Sequence, residues 1–162
     1  MIKNIRLRLN KIPDYNISYD SIKETLDTMN IDELSAEAIS NAVVQIRRNK
    51  LPDPDKIGNA GSFFKNPVVD KTDFEGLRAE FPNIRAYDQG NGTYKIPAAW
   101  LIEQCGWKGR RIQDVGVYPK HSLILVNYGH ATGKEIYDLS VLIQSSVAEK
   151  FGVLLEPEVN IL

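Results

Sequence analysis

The sequence predicts an α+β fold, with an antiparallel sheet and helices packed on one of its faces. Three observations predict it. Short apolar runs of strand length alternate irregularly with helical periods, and no glycine-rich βαβ fingerprint is present. A turn rich in Gly and Asn, Asp88-Gln89-Gly90-Asn91-Gly92, separates two short apolar runs, which signals an antiparallel hairpin. The segment from Thr132 to Phe151 carries one apolar face, as a helix lying on a sheet requires.

Taken in order, residues 4–10 alternate Ile5, Leu7 and Leu9 with Arg6, Arg8 and Asn10, the pattern of a half-buried strand. It opens at residue 1 with no turn or cap before it, so the chain is expected to begin in the middle of an architecture. Tyr19 to Met29, with Ile22, Leu26 and Met29, has a short helical period. Ser35 can cap a clearer helix in which Ile39, Val43 and Ile46 share a face. Arg47, Arg48 and Lys50 gather at its C-terminal end, where the helix dipole favours cations. The prolines of Leu51-Pro52-Asp53-Pro54 stop that helix and mark the domain boundary.

Gly58-Asn59-Ala60-Gly61-Ser62-Phe63-Phe64-Lys65-Asn66-Pro67 is the densest stretch. Its small residues leave little bulk, so the backbone can take positive φ and approach a ligand. It reads either as a turn that presents Ser62, Lys65 and Asn66 as a binding site, or as a plain turn leading into a buried Phe-Phe strand. Val68-Val69 extends a strand. Thr72 or Asp73 can cap a helix burying Phe74, Leu77 and Phe81, and strands at 84–87 and 93–96 flank the hairpin turn.

Pro97 suits the first turn of the next helix and Gly106 its end, with Ala98, Leu101, Ile102 and Cys105 on one face. Cys105 is thus a core residue. Lys95, just before this helix, either adds to an anion site or is a solvated loop cation. Lys108-Gly109-Arg110-Arg111 is a basic surface loop, and Leu123 to Val126 is a continuous apolar strand. Thr132-Gly133-Lys134-Glu135 is a capping box, and Gly152 stands just past the helix end. In the tail, Glu158 is either desolvated with a raised pKa, as a proton-handling acid needs, or lies on the exposed face of a terminal strand.

Composition bounds the function. The chain has 162 residues, 43% of them hydrophobic and 25% charged, enough for one well-packed domain or one domain with part of another. A net charge of −1 gives no basic field for nucleic acid or an anionic membrane. No run approaches the ~18 apolar residues that span a bilayer. The first residues alternate too early for a signal peptide. One cysteine and two histidines argue against a disulfide and against a His/Cys metal cluster. The chain is expected to be cytoplasmic and metal-free.

Four blocks occur in order: Leu51-Pro52-Asp53-Pro54, Gly58 to Pro67, Ile96-Pro97-Ala98-Ala99-Trp100-Leu101-Ile102-Glu103, and Leu155-Glu156-Pro157-Glu158-Val159. Together they resemble the C-terminal part of the UDP-N-acetylenolpyruvoylglucosamine reductase (MurB) family, FAD enzymes of bacterial cell-wall precursor synthesis. The resemblance spans nearly the whole chain. It implies that residues 1–51 are the tail of an FAD-binding domain, 52–152 a substrate-binding domain, and 153–162 a C-terminal strand returning to the FAD-binding half. The family's main FAD-binding portion precedes this region. The chain is therefore expected to be a fragment without that partner, binding no FAD, inactive alone, and with its last strand unpaired.

In the family reaction, a hydride passes from NADPH to the flavin. From there it reaches the vinyl carbon of UDP-N-acetylglucosamine enolpyruvate, giving UDP-N-acetylmuramate. Charge builds on the enolpyruvyl carboxylate, so hydrogen-bond donors are needed where it develops, and a proton must then reach the adjacent carbon. The resemblance implies that Ser62 donates this proton and that Glu158 helps to stabilise the intermediate. It assigns Lys50, Lys65, Asn66 and Lys95 to the UDP-sugar, and leaves open the role of His121, which falls near a substrate-contact site of the family. The alternative is a non-catalytic UDP-sugar-binding module. A serine hydrolase built on Ser62 would need a Gly-x-Ser-x-Gly elbow, which is absent.

Overall fold

The computed structural model describes residues 3–18, 21–31 and 33–161. The chain divides into two compact units, Met1–Lys50 and Leu51–Leu162.

In the first unit, the strand expected over residues 4–10 does not form. Residues 3–18 carry neither helix nor strand, and Ile5, Leu7, Leu9 and Ile12 are 74–85% exposed. Alternation gives a segment two faces, but a strand also needs a neighbour for its backbone N–H and C=O groups. No described residue pairs with this one. Met1 and Ile2, where the strand was expected to open, and Tyr19, first in the short helical period, lie outside the described residues.

Helix α1 (Ile22–Thr28) and helix α2 (Ala36–Lys50) make a small core. Ile22, Leu26, Ala38 and Ala42 are buried, with Ile17, Met29, Ile39, Val43 and Ile46 packed around them. The two alanines form the buried stripe of α2, because small side chains let helix backbones approach closely. The expected Ile39/Val43/Ile46 face flanks that stripe. Ser35 caps α2 as expected, its Oγ accepting the Ala38 N–H at 3.1 Å.

The second unit is α+β, as predicted, but with two antiparallel sheets in place of one. The larger has strand order β1-β7-β6-β5, from β1 (Gly58–Ser62), β7 (Ile124–Asn127), β6 (Val115–Val117) and β5 (Arg111–Ile112). The smaller has order β2-β4-β3, from β2 (Val68–Asp70), β4 (Thr93–Lys95) and β3 (Tyr87–Asp88). The hairpin read from the sequence is β3–β4. Strands β5 and β6 went unforeseen, since Val115-Gly116-Val117 is short and glycine interrupts its apolar signal.

Helix α5 (Gly133–Phe151) lies against β6 and β7, and α4 (Ala98–Gln104) packs on α5. Helix α3 (Lys71–Glu80) is capped by Asp70, whose Oδ1 accepts the Asp73 N–H at 2.8 Å, and not by Thr72 or Asp73. The last residue of β2 is thus also the cap of α3. The α5 capping box forms as expected, and Gly152 closes the helix at φ 66°. The core joins Phe64, Ile96, Leu101, Ile102, Val117, Ile143 and Val147, each at most 1% exposed. The basic loop is held flat. The Arg110 guanidinium lies 4.5 Å from the Trp107 ring centre, and that of Arg111 lies 4.2 Å from Tyr128.

Candidate functional site

The stretch from Gly58 is a bulged edge strand and not a free turn. Strand β1 pairs with β7 through Gly58↔Asn127, Asn59↔Val126 and Ser62↔Ile124, with a slip in register between Asn59 and Ser62. Gly61 absorbs the slip at φ 75°, a conformation that glycine adopts without strain. The Asn59 side chain fixes the bulge, donating from Nδ2 to the Ile57 carbonyl at 3.1 Å and accepting the Gly61 N–H at 3.0 Å. The small residues permit the bulge, and the apolar β7 run supplies the partner.

Beyond the bulge, Phe63 and Phe64 are buried at 5% and 1% exposure with their rings edge-on. Their burial anchors the run, while Ser62, Lys65 and Asn66 around them stay exposed. The Phe63 N–H donates to the Leu123 carbonyl at 2.8 Å. On the other side the C-terminal segment returns. Lys65 N–H donates to the Glu156 carbonyl at 2.9 Å, Glu158 N–H to the Phe63 carbonyl at 2.8 Å, and Phe64 and Pro157 form an antiparallel bridge. The backbone of Glu158, remote in sequence, is thereby fixed against the Phe63-Phe64 peptide.

Residues 153–158 thus have partners inside this unit, where the sequence led to an unpaired tail. Val153 and Leu155 are buried, and Gln144 Nε2 donates to the Leu155 carbonyl at 2.7 Å. With those two inward, alternation turns Leu154, Glu156 and Glu158 outward. Glu158 is therefore on an exposed face, the second of the two placements that the sequence allowed.

Asn66 has a structural duty that the sequence did not reveal. Its Oδ1 accepts the Ala98 N–H at 2.9 Å, satisfying an orphan donor at the start of α4. A backbone N–H can face only the amide oxygen, so the orientation of the Asn66 amide is settled by chemistry. Lys65 Nζ lies 3.2 Å from Glu156 Oε2, with both side chains more than half exposed. Lys95 is half-buried in β4, opposite Val68 and Tyr87, and is not a loop cation. Ser62, Lys65 and Asn66 thus lie on one run, with Glu158 and Lys95 held on neighbouring segments. Lys50 is the last residue of α2 and belongs to the other unit.

Two groups at the C-terminal end of α4 have shifted acidities. Burial raises the Glu103 carboxyl, but bonds from Lys108 and Ser122 and the charges of Lys108 and His121 outweigh it, leaving Glu103 below its ordinary value. Burial pushes the Cys105 thiol up, partly opposed by Lys150, and its Sγ lies 3.5 Å from the Ser146 carbonyl. Cys105 is a packing residue, as its helical position predicted.

A cleft of about 710 Å³ adjoins β1, walled by Ala60, Phe63, Leu125, Ile136, Tyr137 and Val159. The start of α5 opens onto it, but Glu135 Oε2 already accepts the Thr132 N–H there at 2.7 Å. A dinucleotide diphosphate at that helix end would meet a carboxylate, and no glycine-rich phosphate cradle accompanies it. The start of α5 therefore does not fit a dinucleotide diphosphate.

A family model for the C-terminal domain of UDP-N-acetylenolpyruvoylglucosamine reductase matches residues 53–162, most of the chain. The chain belongs to the UDP-N-acetylenolpyruvoylglucosamine reductase family. Relatives of that name are 54% identical over the full chain in Amoebophilus asiaticus, 47% over 99% of it in Pseudomonas putida, and 48% over 91% in Flavobacterium johnsoniae. Those alignments take in 48%, 48% and 44% of the relatives, so the chain spans about half the length of the curated reductases it matches.

Proposed function

We propose that this chain is the substrate-binding part of a bacterial, cytoplasmic flavin-dependent reductase. The whole enzyme would convert UDP-N-acetylglucosamine enolpyruvate to UDP-N-acetylmuramate with NADPH, a step of peptidoglycan precursor synthesis. Residues 1–51 are assigned to the tail of the FAD-binding domain, 52–152 to the substrate domain, and 153–162 to a strand that also meets the FAD-binding half. Half-length coverage of the relatives supports a partner of this kind in the same protein. The observation that supports the reading is the Glu158 N–H bond to the Phe63 carbonyl, which ties the Glu158 backbone to the residue after Ser62.

The flavin, when bound by the remainder of the enzyme, supplies the hydride. This chain's residues handle the charge and the proton. Ser62 gives its hydroxyl proton to the carbon beside the enolpyruvyl carboxylate, and Glu158 stabilises the charged intermediate. Asn66, with its amide plane fixed by Ala98, presents N–H donors to the UDP-sugar. Lys95 and Lys65 meet its diphosphate as flexible point cations. Lys65 must leave Glu156 to do so, which an exposed pair worth roughly 0–1 kcal/mol permits. Lys50 is assigned to the same substrate by family resemblance alone.

Stopped-flow half-reactions on the intact protein test the proposal. Ser62→Ala should leave flavin reduction by NADPH intact and abolish flavin reoxidation by substrate. Equal loss of both half-reactions removes Ser62 from the role. The carboxylate at the start of α5, unsuited to a dinucleotide diphosphate, supports a second reading, in which this chain alone is a UDP-sugar-binding module. The isolated chain should then be colourless and still bind the UDP-sugar in calorimetry, whereas yellow protein would overturn that reading.

A further inference from the structure

We infer that Glu103 is a positioning residue for the Ser62–Asn66 run, acting through Ser122 and the Leu123 carbonyl. Ser122 is fully buried, and its Oγ donates to Glu103 Oε1 at 2.8 Å. Lys108 Nζ donates to the same oxygen at 2.9 Å. A buried hydroxyl held by a carboxylate has one low-energy rotamer, so the turn that carries it is fixed.

That turn is tightly made. His121 N–H donates to the Tyr118 carbonyl, Ile124 N–H to that of His121, and Tyr118 N–H to that of Ile124. The next carbonyl after Ser122, that of Leu123, receives the Phe63 N–H one residue past Ser62.

Helix α4 therefore holds the run at both ends. Its first N–H takes the Asn66 side chain, and Glu103, near its C-terminal end, takes Ser122 and through Leu123 the peptide beside Ser62. The distance between Ser62 and Asn66 is set by a rigid helix and not by a loop. That is the arrangement expected where a proton donor and a substrate-binding amide must keep a fixed separation. The inference rests on the reading of Ser62 and Asn66 given above.

Site-resolved amide hydrogen exchange and half-reaction kinetics on the intact protein test it. Glu103→Ala and Ser122→Ala should each speed exchange at Phe63 by about tenfold, the size expected of a lost charge-assisted bond. Val126, in the centre of the sheet, should be unchanged. Glu103→Gln, whose amide oxygen still accepts from Ser122, should restore slow exchange. Glu103→Ala should also slow flavin reoxidation by substrate about tenfold while NADPH reduction stays normal. If Glu103→Ala fails to fold, Ser122→Ala probes the same contact.

Unchanged exchange at Phe63, or equal acceleration at Val126, overturns the inference. So does loosened Phe63 with normal reoxidation, provided Ser62→Ala blocks reoxidation. If Ser62→Ala reoxidises normally, the functional reading fails instead, and Phe63 exchange still decides whether Glu103 holds the run.

Discussion

Asn66 is committed at one end before any substrate arrives, because its Oδ1 holds the Ala98 N–H. Asn66→Ala should destabilise the protein by about 1 kcal/mol, the usual cost of a lost cap, as read by urea unfolding. Asn66→Asp keeps the acceptor and sets a negative charge at a helix N-terminus, so stability should return. Both variants should lose UDP-sugar binding in calorimetry, which separates the cap from the site. Glu103 gives a pH signature. Its carboxyl is below its ordinary value in the folded state, so its stabilisation is full above the unfolded value near 4.5 and fades as pH falls through the folded one. The stability gap between wild type and Glu103→Gln should therefore be constant near neutrality and shrink only in acid. Its side chain is 35% exposed, so solvent screening keeps that gap small. Cys105, with its thiol raised, should react with a thiol reagent at neutral pH far more slowly in the native protein than in urea.

Among the elements, helices were the most legible. Thr132 with Glu135, Ser35, and the Pro97–Gly106 pair each act within a few residues of where they stand, so sequence alone placed α5, α2 and α4. Strands were less so. Leu123 to Val126 announced β7, but β1 looked like a turn because its small residues advertise freedom, and only pairing with β7 makes them a strand. Residues 4–10 showed the opposite error, with perfect alternation and no partner among the described residues. Gly116 illustrates the same dependence. A Cβ there would lie 2.8 Å from the Arg110 carbonyl and 3.0 Å from the Tyr128 ring, because β5 and the Arg111–Tyr128 stack press on β6. Gly116→Ala should lower thermal stability by about 1–3 kcal/mol, since backbone cannot move aside as a flexible side chain does. Nothing in the local sequence, beyond a glycine between two valines, foretells that contact.

Across the whole molecule the two units differ in how much they bury. The described core of Met1–Lys50 rests on Ile22, Leu26, Ala38 and Ala42, whereas that of Leu51–Leu162 includes three phenylalanines besides Phe64 and one tryptophan. Stability follows buried apolar area, so amides of α2 should exchange well before those of β7. Equal protection of the two would contradict that account. No helix among the described residues is long and apolar enough to cross a membrane. By itself the sequence determined the α+β class, the caps of α2 and α5 and the family, because such caps, periods and ordered motif blocks are local properties of the chain. Only the tertiary structure decided that Glu158 bonds Phe63, that Asn66 caps α4, and that residues 4–10 lie exposed. Each turns on whether a hydrogen-bonding partner distant in sequence is supplied, and the register that supplies one is chosen by packing.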